Sequence, residues 1–159
     1  MGKSCSRRDR LVEEVRYEIG LLRVLAAKSR ELAAVPASER RPWDAAAAGK
    51  FISDVCAGLE NLCKRRYVYD GLRPPHGSDS HSRMLDDFLT TPQLGGRLPA
   101  VLALRLKKHL RFRHRFVHGY AFEVSWAMVD EPLRMLPETV DALCAVWEAW
   151  MEELPKGGE

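Results

Sequence analysis

The sequence lacks the features that mark membrane proteins, disulfide-stabilised scaffolds and nucleotide-binding proteins with glycine-rich loops. No apolar run approaches the roughly 20 residues that a helix needs to cross a bilayer, so we expect no membrane segment. The four cysteines form no Cys-x-x-Cys pair, which argues against a disulfide framework and favours small core residues in a reducing compartment, the cytoplasm. There is also no Gly-rich phosphate loop, no Gly-x-Ser-x-Gly sequence, no carboxylate dyad and no internal repeat.

The first six residues, Met1 to Ser6, formally match an N-myristoylation signal with an adjacent cysteine. The arginines that follow, Arg7, Arg8 and Arg10, come without any hydrophobic region, which argues against a secretory signal. We therefore interpret the acylation match as coincidental.

Apolar residues recur at spacings of three and four along most of the chain, which is the periodicity of amphipathic helices. Gly, Pro and Ser concentrate in the polar segment 70–82, which we predict to be a loop. The predicted long helices span residues 6–34 with Ser6 as N-cap, about 43–67, about 98–117 and about 137–153; shorter ones span 84–89 after Ser82 and 123–131 before Pro132. Four long helices and no strand predict a single all-α domain over residues 1–159, an up-and-down bundle with additional short helices.

Charge is distributed unevenly, although the net charge of the whole chain is only +3. Residues 121–159 hold nine acidic residues against Arg134 and Lys156, a net charge of −7, so the first 120 residues carry +10. Two explanations fit this asymmetry: an anionic partner for the first part of the chain, or an acidic C-terminal segment that packs beside a basic one.

The most unusual segment, residues 105–120, combines a helical apolar pattern with a dense set of cations. A helix would gather its leucines and phenylalanines on one broad side and leave the other side almost entirely cationic. Its charged or titratable members are Arg105, Lys107, Lys108, His109, Arg111, Arg113, His114, Arg115 and His118. Such a surface favours an anionic ligand, and RNA is the leading candidate.

Arg113 and His118 have the two chemical capacities that metal-free cleavage of RNA needs. A guanidinium binds phosphate through paired hydrogen bonds and keeps its charge, whereas an imidazole can accept or release a proton near neutral pH. On an ideal helix the two residues lie about 140° apart, so they share a face only if the helix loosens or a second chain supplies the partner. The competing interpretation is an arginine and a histidine near a helix C-terminus, where positive charge interacts favourably with the helix dipole.

A metal site is not expected, and the sequence contains no cofactor motif. His114 and His118 have the i, i+4 spacing of helical metal ligands, but no acidic residue lies between them and the neighbouring cations would repel a metal ion. His76 and His81 lie in the polar loop, where solvent-exposed histidines are common.

Residues 113–120, Arg-His-Arg-Phe-Val-His-Gly-Tyr, resemble the Arg-polar-x-x-x-His-x-Tyr motif of the HepT-like ribonuclease toxins in the HEPN superfamily. The Leu-Arg-Phe-Arg-His string at 110–114 is similar to the lead-in of that group. The upstream loop fits its Pro-x-Gly-x-x-x-His-x-x-x-Leu pattern, although Ser80 stands where a Trp is usual. The matching positions of that pattern are Pro75, Gly77, His81 and Leu85.

The resemblance implies an α-helical bundle that forms a homodimer and places two copies of the motif in one cleft, where both chains act together. Arg113 would bind and polarise the scissile phosphate, His118 would be the general base or acid, and His114 would orient the site. Tyr120 matches the tyrosine that a partner nucleotidyltransferase antitoxin modifies with AMP to silence such a toxin.

The leading hypothesis is a metal-independent endoribonuclease toxin of a toxin–antitoxin pair. The alternative is a catalytically inactive HEPN-like subunit that holds a nucleotide or a nucleotidyltransferase partner, and a third hypothesis is a helical nucleic-acid-binding regulator. In the leading hypothesis, four further cations steer RNA, hold its phosphates or are simply solvated: Lys107, Lys108, Arg111 and Arg115.

Overall fold

Five α-helices build the fold in the computed structural model, which describes residues 6–156. They are α1 (Arg7–Ala33), α2 (Pro42–Tyr69), α3 (Ser80–Thr90), α4 (Ala100–His118) and α5 (Trp126–Glu153). Short 3-10 turns occupy Ala37–Glu39, Gly95–Arg97 and Ala121–Glu123. The described residues contain no strand, which confirms the all-α prediction, and no helix among them is long and apolar enough to cross a membrane. The acylation match lies outside the described residues except for Ser6.

The four long helices run alternately up and down. In each pair of long helices that follow one another along the chain, residues near the start of one helix meet residues near the end of the other. Three such contacts are Arg7 with Val68 between α1 and α2, Gly49 with Phe116 between α2 and α4, and Arg97 with Glu153 beside the ends of α4 and α5. This arrangement confirms the predicted up-and-down bundle, and α3 packs across it with Phe88 stacked on Trp147 at 5.8 Å between ring centroids.

Helix boundaries follow local chemistry at several ends. The Ser6 hydroxyl accepts a hydrogen bond from the backbone N–H of Asp9 at 3.0 Å, and the Asp9 carboxylate accepts one from the Ser6 N–H at 3.3 Å. This reciprocal capping box confirms Ser6 as the N-cap of α1. Helix α4 begins directly after Pro99 and ends before Gly119, within two residues of the predicted limits.

The prediction of two separate helices on either side of Pro132 is wrong, because α5 runs without interruption from Trp126 to Glu153. A proline inside a helix costs about 3 kcal/mol, since it removes one backbone hydrogen bond and crowds the preceding turn. One continuous helix, however, buries a stripe of large aliphatic side chains, each of which stabilises the fold by about 1.5–3 kcal/mol. The fully buried members of that stripe around the prolines are Val129, Leu133, Leu136, Val140 and Leu143.

The short helix α3 also differs from its prediction, because it begins at Ser80 rather than after Ser82. The first backbone bond of the helix runs from the N–H of Arg83 to the carbonyl of Asp79, at 3.0 Å. His81 in this added turn contacts Glu60 of α2, so a tertiary contact holds residues that the sequence pattern assigns to the loop.

The uneven charge of the chain is partly explained by packing within the molecule. Helix α5 forms an ion pair with basic residues of the first 120 residues at five places along its length. These pairs join Arg23 to Glu148, Arg30 to Asp141, Arg40 to Asp130, Arg97 to Glu153 and Arg105 to Glu138. Arg105 is therefore part of the bundle and not of a free cationic surface.

His109 faces the interior, in contrast to the other histidines of α4. Its side chain is 2% exposed, and neither ring nitrogen has a hydrogen-bond partner among the described residues. Burial, with a smaller contribution from the nearby positive charge of Arg105, lowers the pKa of His109 to about 4. The interior therefore holds His109 as a neutral ring.

We predict that His109 makes the fold sensitive to mild acid. Since its folded-state pKa of about 4 lies below the unfolded value of about 6.5, the unfolded chain binds the extra proton, and stability falls as the pH drops through this interval. The fall amounts to about 3 kcal/mol between pH 7 and pH 4. Urea unfolding of His109→Leu should show a weaker pH dependence than the wild type. His76→Leu, which changes an exposed loop histidine, serves as the control, and equal pH dependence in all three proteins would contradict the prediction.

Candidate functional site: a cationic groove between α3 and α4

A groove of about 1000 Å³ lies between the start of α3 and the C-terminal half of α4. One wall is the loop–helix junction that contains Gly77, Asp79 and His81. The other wall carries five charged or titratable side chains of α4: Arg111, Arg113, His114, Arg115 and His118. We call this feature the cationic groove; it brings these five predicted site residues of α4 together with His81 from the first turn of α3.

A close helix–helix contact holds the α4 wall in position. A Cβ atom at Gly49 of α2 would lie 2.9 Å from Cε2 of Phe116, so glycine lets this ring approach the α2 backbone. Phe112 and Phe116 stack on each other at 5.9 Å between ring centroids. These rings anchor one side of α4 against α2, whereas Arg111, His114, Arg115 and His118 are exposed.

A buried carboxylate, that of Glu60, stands behind the groove. Its side chain is only 9% exposed, and its Oε1 atom accepts a short hydrogen bond from Nη1 of Arg113. The same oxygen lies 2.6 Å from Nδ1 of His81, and Nη1 of Arg113 lies 3.3 Å from that nitrogen. Glu60, His81 and Arg113 thus form one cluster that joins α2, α3 and α4.

Cysteine chemistry does not contribute to this cluster. Cys56 lies one helical turn before Glu60 and is buried. Burial raises its pKa to about 12, although the positive charge of Arg113 opposes the shift. The thiol therefore stays protonated at neutral pH and lacks the thiolate that a nucleophile requires.

Arg113 and His118 line the same groove but do not contact each other directly. Arg113 is directed inward to Glu60, whereas His118 is exposed and contacts His114, with ring centroids 4.8 Å apart in an edge-to-face arrangement. The predicted separation around the helix is thus present within one chain. Within residues 6–156, no group of three or more His, Cys, Asp or Glu side chains is placed to hold a metal ion.

The four weaker phosphate-binding candidates fall into two pairs. Arg111 and Arg115 are exposed and line the cationic groove. Lys107 and Lys108 are exposed one turn earlier, where Nζ of Lys107 lies 4.0 Å from a carboxylate oxygen of Asp86. The structure therefore associates Arg111 and Arg115 more closely with the site than it does the two lysines.

Tyr120 lies just past the end of α4 and is 70% exposed. Its ring stacks on that of Phe122, with 5.3 Å between centroids and 13° between the ring planes. Its backbone N–H donates to a carboxylate oxygen of Glu123 at 3.0 Å, which fixes the turn after the helix. The phenol is therefore held two residues beyond His118, in an accessible position.

Glu60 is a site residue that sequence reasoning missed. It stands among buried positions of α2, one turn from Cys56 and Cys63 and next to Leu59. A carboxylate on an apolar helix face signals a buried partner, because an unpaired buried charge is strongly unfavourable. That signal predicts some cation opposite Glu60, but it does not say which one.

An all-α up-and-down bundle with an Arg-x4-His segment at the end of its fourth helix defines the structural class of this protein. Residues 47–154 match the family described as HepT-like protein, and the chain belongs to this HEPN-type family, whose usual context is a toxin–antitoxin system. The matched range includes Glu60, His81 and the whole Arg113 to Tyr120 segment. No curated protein and no solved structure matches the chain significantly.

We predict that Glu60 and Arg113 depend on each other for stability. Glu60→Leu leaves a guanidinium that is only 20% exposed without its counter-ion, so unfolding free energy should fall by about 3 kcal/mol. Arg113→Leu should be similarly destabilising, whereas the double variant should lose less than the sum, because no lone buried charge remains. Urea unfolding measures all three.

The control for these three variants is Glu131→Ala, which removes an exposed carboxylate of α5. It should change the free energy of unfolding by no more than about 0.5 kcal/mol. Strictly additive effects in the double variant would show that the two side chains are not energetically coupled.

Proposed function

We propose that this protein is a metal-independent endoribonuclease that acts as the toxin of a toxin–antitoxin pair. The observation that carries the proposal is the position of Arg113, which Glu60 holds in the same groove as His114 and His118. The family supports the toxin context, and the groove, at about 1000 Å³, is large enough for nucleotides of an RNA strand.

The chemistry uses two of these side chains directly. His118 removes the proton from a ribose 2′-hydroxyl, and the resulting oxygen attacks the adjacent phosphorus. Arg113 stabilises the charge that develops on the phosphate oxygens. His114, which contacts the His118 ring, orients that base, while Arg111 and Arg115 hold neighbouring phosphates.

A homodimer completes the site in this proposal. Arg113 and His118 of one chain make no direct contact. Arg113 of one chain can therefore act together with His118 of a second chain. Two exposed apolar side chains lie at the end of α4 and just beyond it: Val117 and Phe122. Burial of such side chains against a second copy would stabilise the dimer.

The proposal predicts RNA cleavage in the presence of EDTA. Arg113→Ala and His118→Ala should each lower the cleavage rate by about 10²- to 10⁴-fold, because the first removes charge stabilisation and the second removes the base. Cleavage of a fluorescent RNA by purified protein measures the loss. Since Arg113→Ala also removes the partner of Glu60, thermal unfolding and size-exclusion chromatography must show a folded protein of unchanged oligomeric state.

Lys64→Ala is the matched control, because it removes one exposed positive charge of α2 outside the cationic groove and should leave cleavage unchanged. Wild-type activity in folded Arg113→Ala or His118→Ala would overturn the assigned roles. Absence of cleavage together with tight nucleotide binding would favour a non-catalytic, nucleotide-binding subunit instead.

Tyr120 is the proposed control point of the toxin. Its exposed phenol is accessible to a partner nucleotidyltransferase antitoxin, and it lies two residues from the proposed base. An AMP group attached there would place bulk and negative charge beside the cationic groove and oppose the entry of RNA.

This proposal predicts that incubation with the cognate antitoxin and ATP adds the mass of AMP to the wild type and abolishes cleavage. Tyr120→Phe should gain no mass and should stay active under the same conditions. Tyr17→Phe, which changes a similarly exposed tyrosine on α1, should behave like the wild type. Modification of Tyr120→Phe, measured by intact-protein mass spectrometry, would place the control point elsewhere.

A further inference from the structure

His81 is a histidine of the cationic groove that has no role in the chemistry proposed for Arg113 and His118. This histidine lies in the first turn of α3, and its half-exposed ring lines the wall of the cationic groove that faces α4. It is the groove histidine that the Arg-x4-His segment does not include.

We propose that His81 is a second proton-transfer residue, the general acid that protonates the leaving oxygen while His118 acts as general base. The inference rests on the proposed ribonuclease function and extends it to the other wall of the groove.

The first argument is the contact between His81 and a buried carboxylate. Glu60 Oε1 lies 2.6 Å from Nδ1 of His81, so the ring donates its Nδ1 proton to Glu60. This hydrogen bond fixes the ring orientation and leaves Nε2 as the nitrogen available to a ligand in the groove. A carboxylate at Nδ1 also supplies the counter-charge for a doubly protonated ring, which is the form that can release a proton from Nε2.

The second argument is the short distance between His81 and Arg113, the side chain proposed to bind the phosphate. Nη1 of Arg113 lies 3.3 Å from Nδ1 of His81, because both groups contact the same oxygen of Glu60. A phosphate held by Arg113 is therefore close to the His81 ring. His118 lies on the α4 wall of the groove, so one histidine is contributed by each wall.

With one histidine on each wall, every bond and proton of the reaction is accounted for. The bond between the 2′-oxygen and phosphorus forms, and the 2′-hydroxyl proton passes to His118. The bond between phosphorus and the 5′-oxygen breaks, and that oxygen receives the proton from Nε2 of His81. The products are a 2′,3′-cyclic phosphate and a free 5′-hydroxyl, and a proton shift through water restores both rings.

A structural role for His81 must be separated from this chemical one, because its contact with Glu60 also ties α3 to α2. His81→Asn is suited to this purpose, since its side-chain amide can still donate to Glu60 but cannot release a proton. Thermal unfolding and the Kd for a non-cleavable 2′-deoxy oligonucleotide report on folding and on binding.

The test compares two substrates that differ only in their leaving group. The first is a dinucleotide with a natural 5′-linked ribose, whose leaving oxygen needs a proton. The second is a uridine 3′-(4-nitrophenyl) phosphate, whose leaving group departs without one. His81→Asn should lose about 10²-fold or more of its activity on the first substrate and less than about tenfold on the second, the size expected for general acid catalysis.

His118→Ala should lose activity on both substrates, and His76→Asn, a loop variant outside the groove lining, should lose it on neither. Equal losses of His81→Asn on the two substrates, or none on the natural one, would overturn the role of His81 while the ribonuclease function stands. A wild type that cleaves neither substrate, nor longer RNA, would overturn the ribonuclease function and this inference together.

Discussion

The buried carboxylate of Glu60 is the constraint on which the site depends. It accepts hydrogen bonds from Arg113 and His81, and these three residues belong to three different helices. A carboxylate this deeply buried is tolerated only when it is paired, so the fold must bring a cation and a donor to this point. The same contacts join α3 and α4 to α2, and so connect the two walls of the cationic groove. Stability and the proposed chemistry are thus coupled through one side chain.

Ion pairs with α5 determine which cations remain available to a ligand. The acidic C-terminal helix pairs with arginines of α1, of α4 and of the connections before α2 and α4. Arg105, at the start of the basic stretch, is one of them, whereas Arg111 and Arg115 keep their exposure. The two explanations for the charge asymmetry are therefore complementary: packing accounts for one part of the positive charge, and the groove retains another part that suits an anionic ligand.

Prediction from sequence was most accurate where local rules decide. Ser6 caps α1, and Pro99 and Gly119 flank α4, because capping and proline geometry act within a few residues. It was wrong at Pro132 and at the start of α3, where burial and a long-range contact outweigh local preference. The sequence pattern groups His109 with the cationic surface, yet its side chain is buried in the core. The apolar side of this helix is so broad that the pattern does not show whether a residue at its edge is buried or exposed.

The sequence by itself determined the all-α class, the amphipathic helices and the presence of Arg113, His114, His118 and Tyr120 in one short segment, because periodicity and motif spacing are local properties. Only the tertiary structure decided that Arg113 turns inward to Glu60, that His118 stays exposed, and that His81 joins them from another helix. These contacts connect residues 21 to 53 positions apart. The packing of whole helices and the need to pair a buried charge decide which residues meet in these contacts. Neither can be seen in a short stretch of sequence.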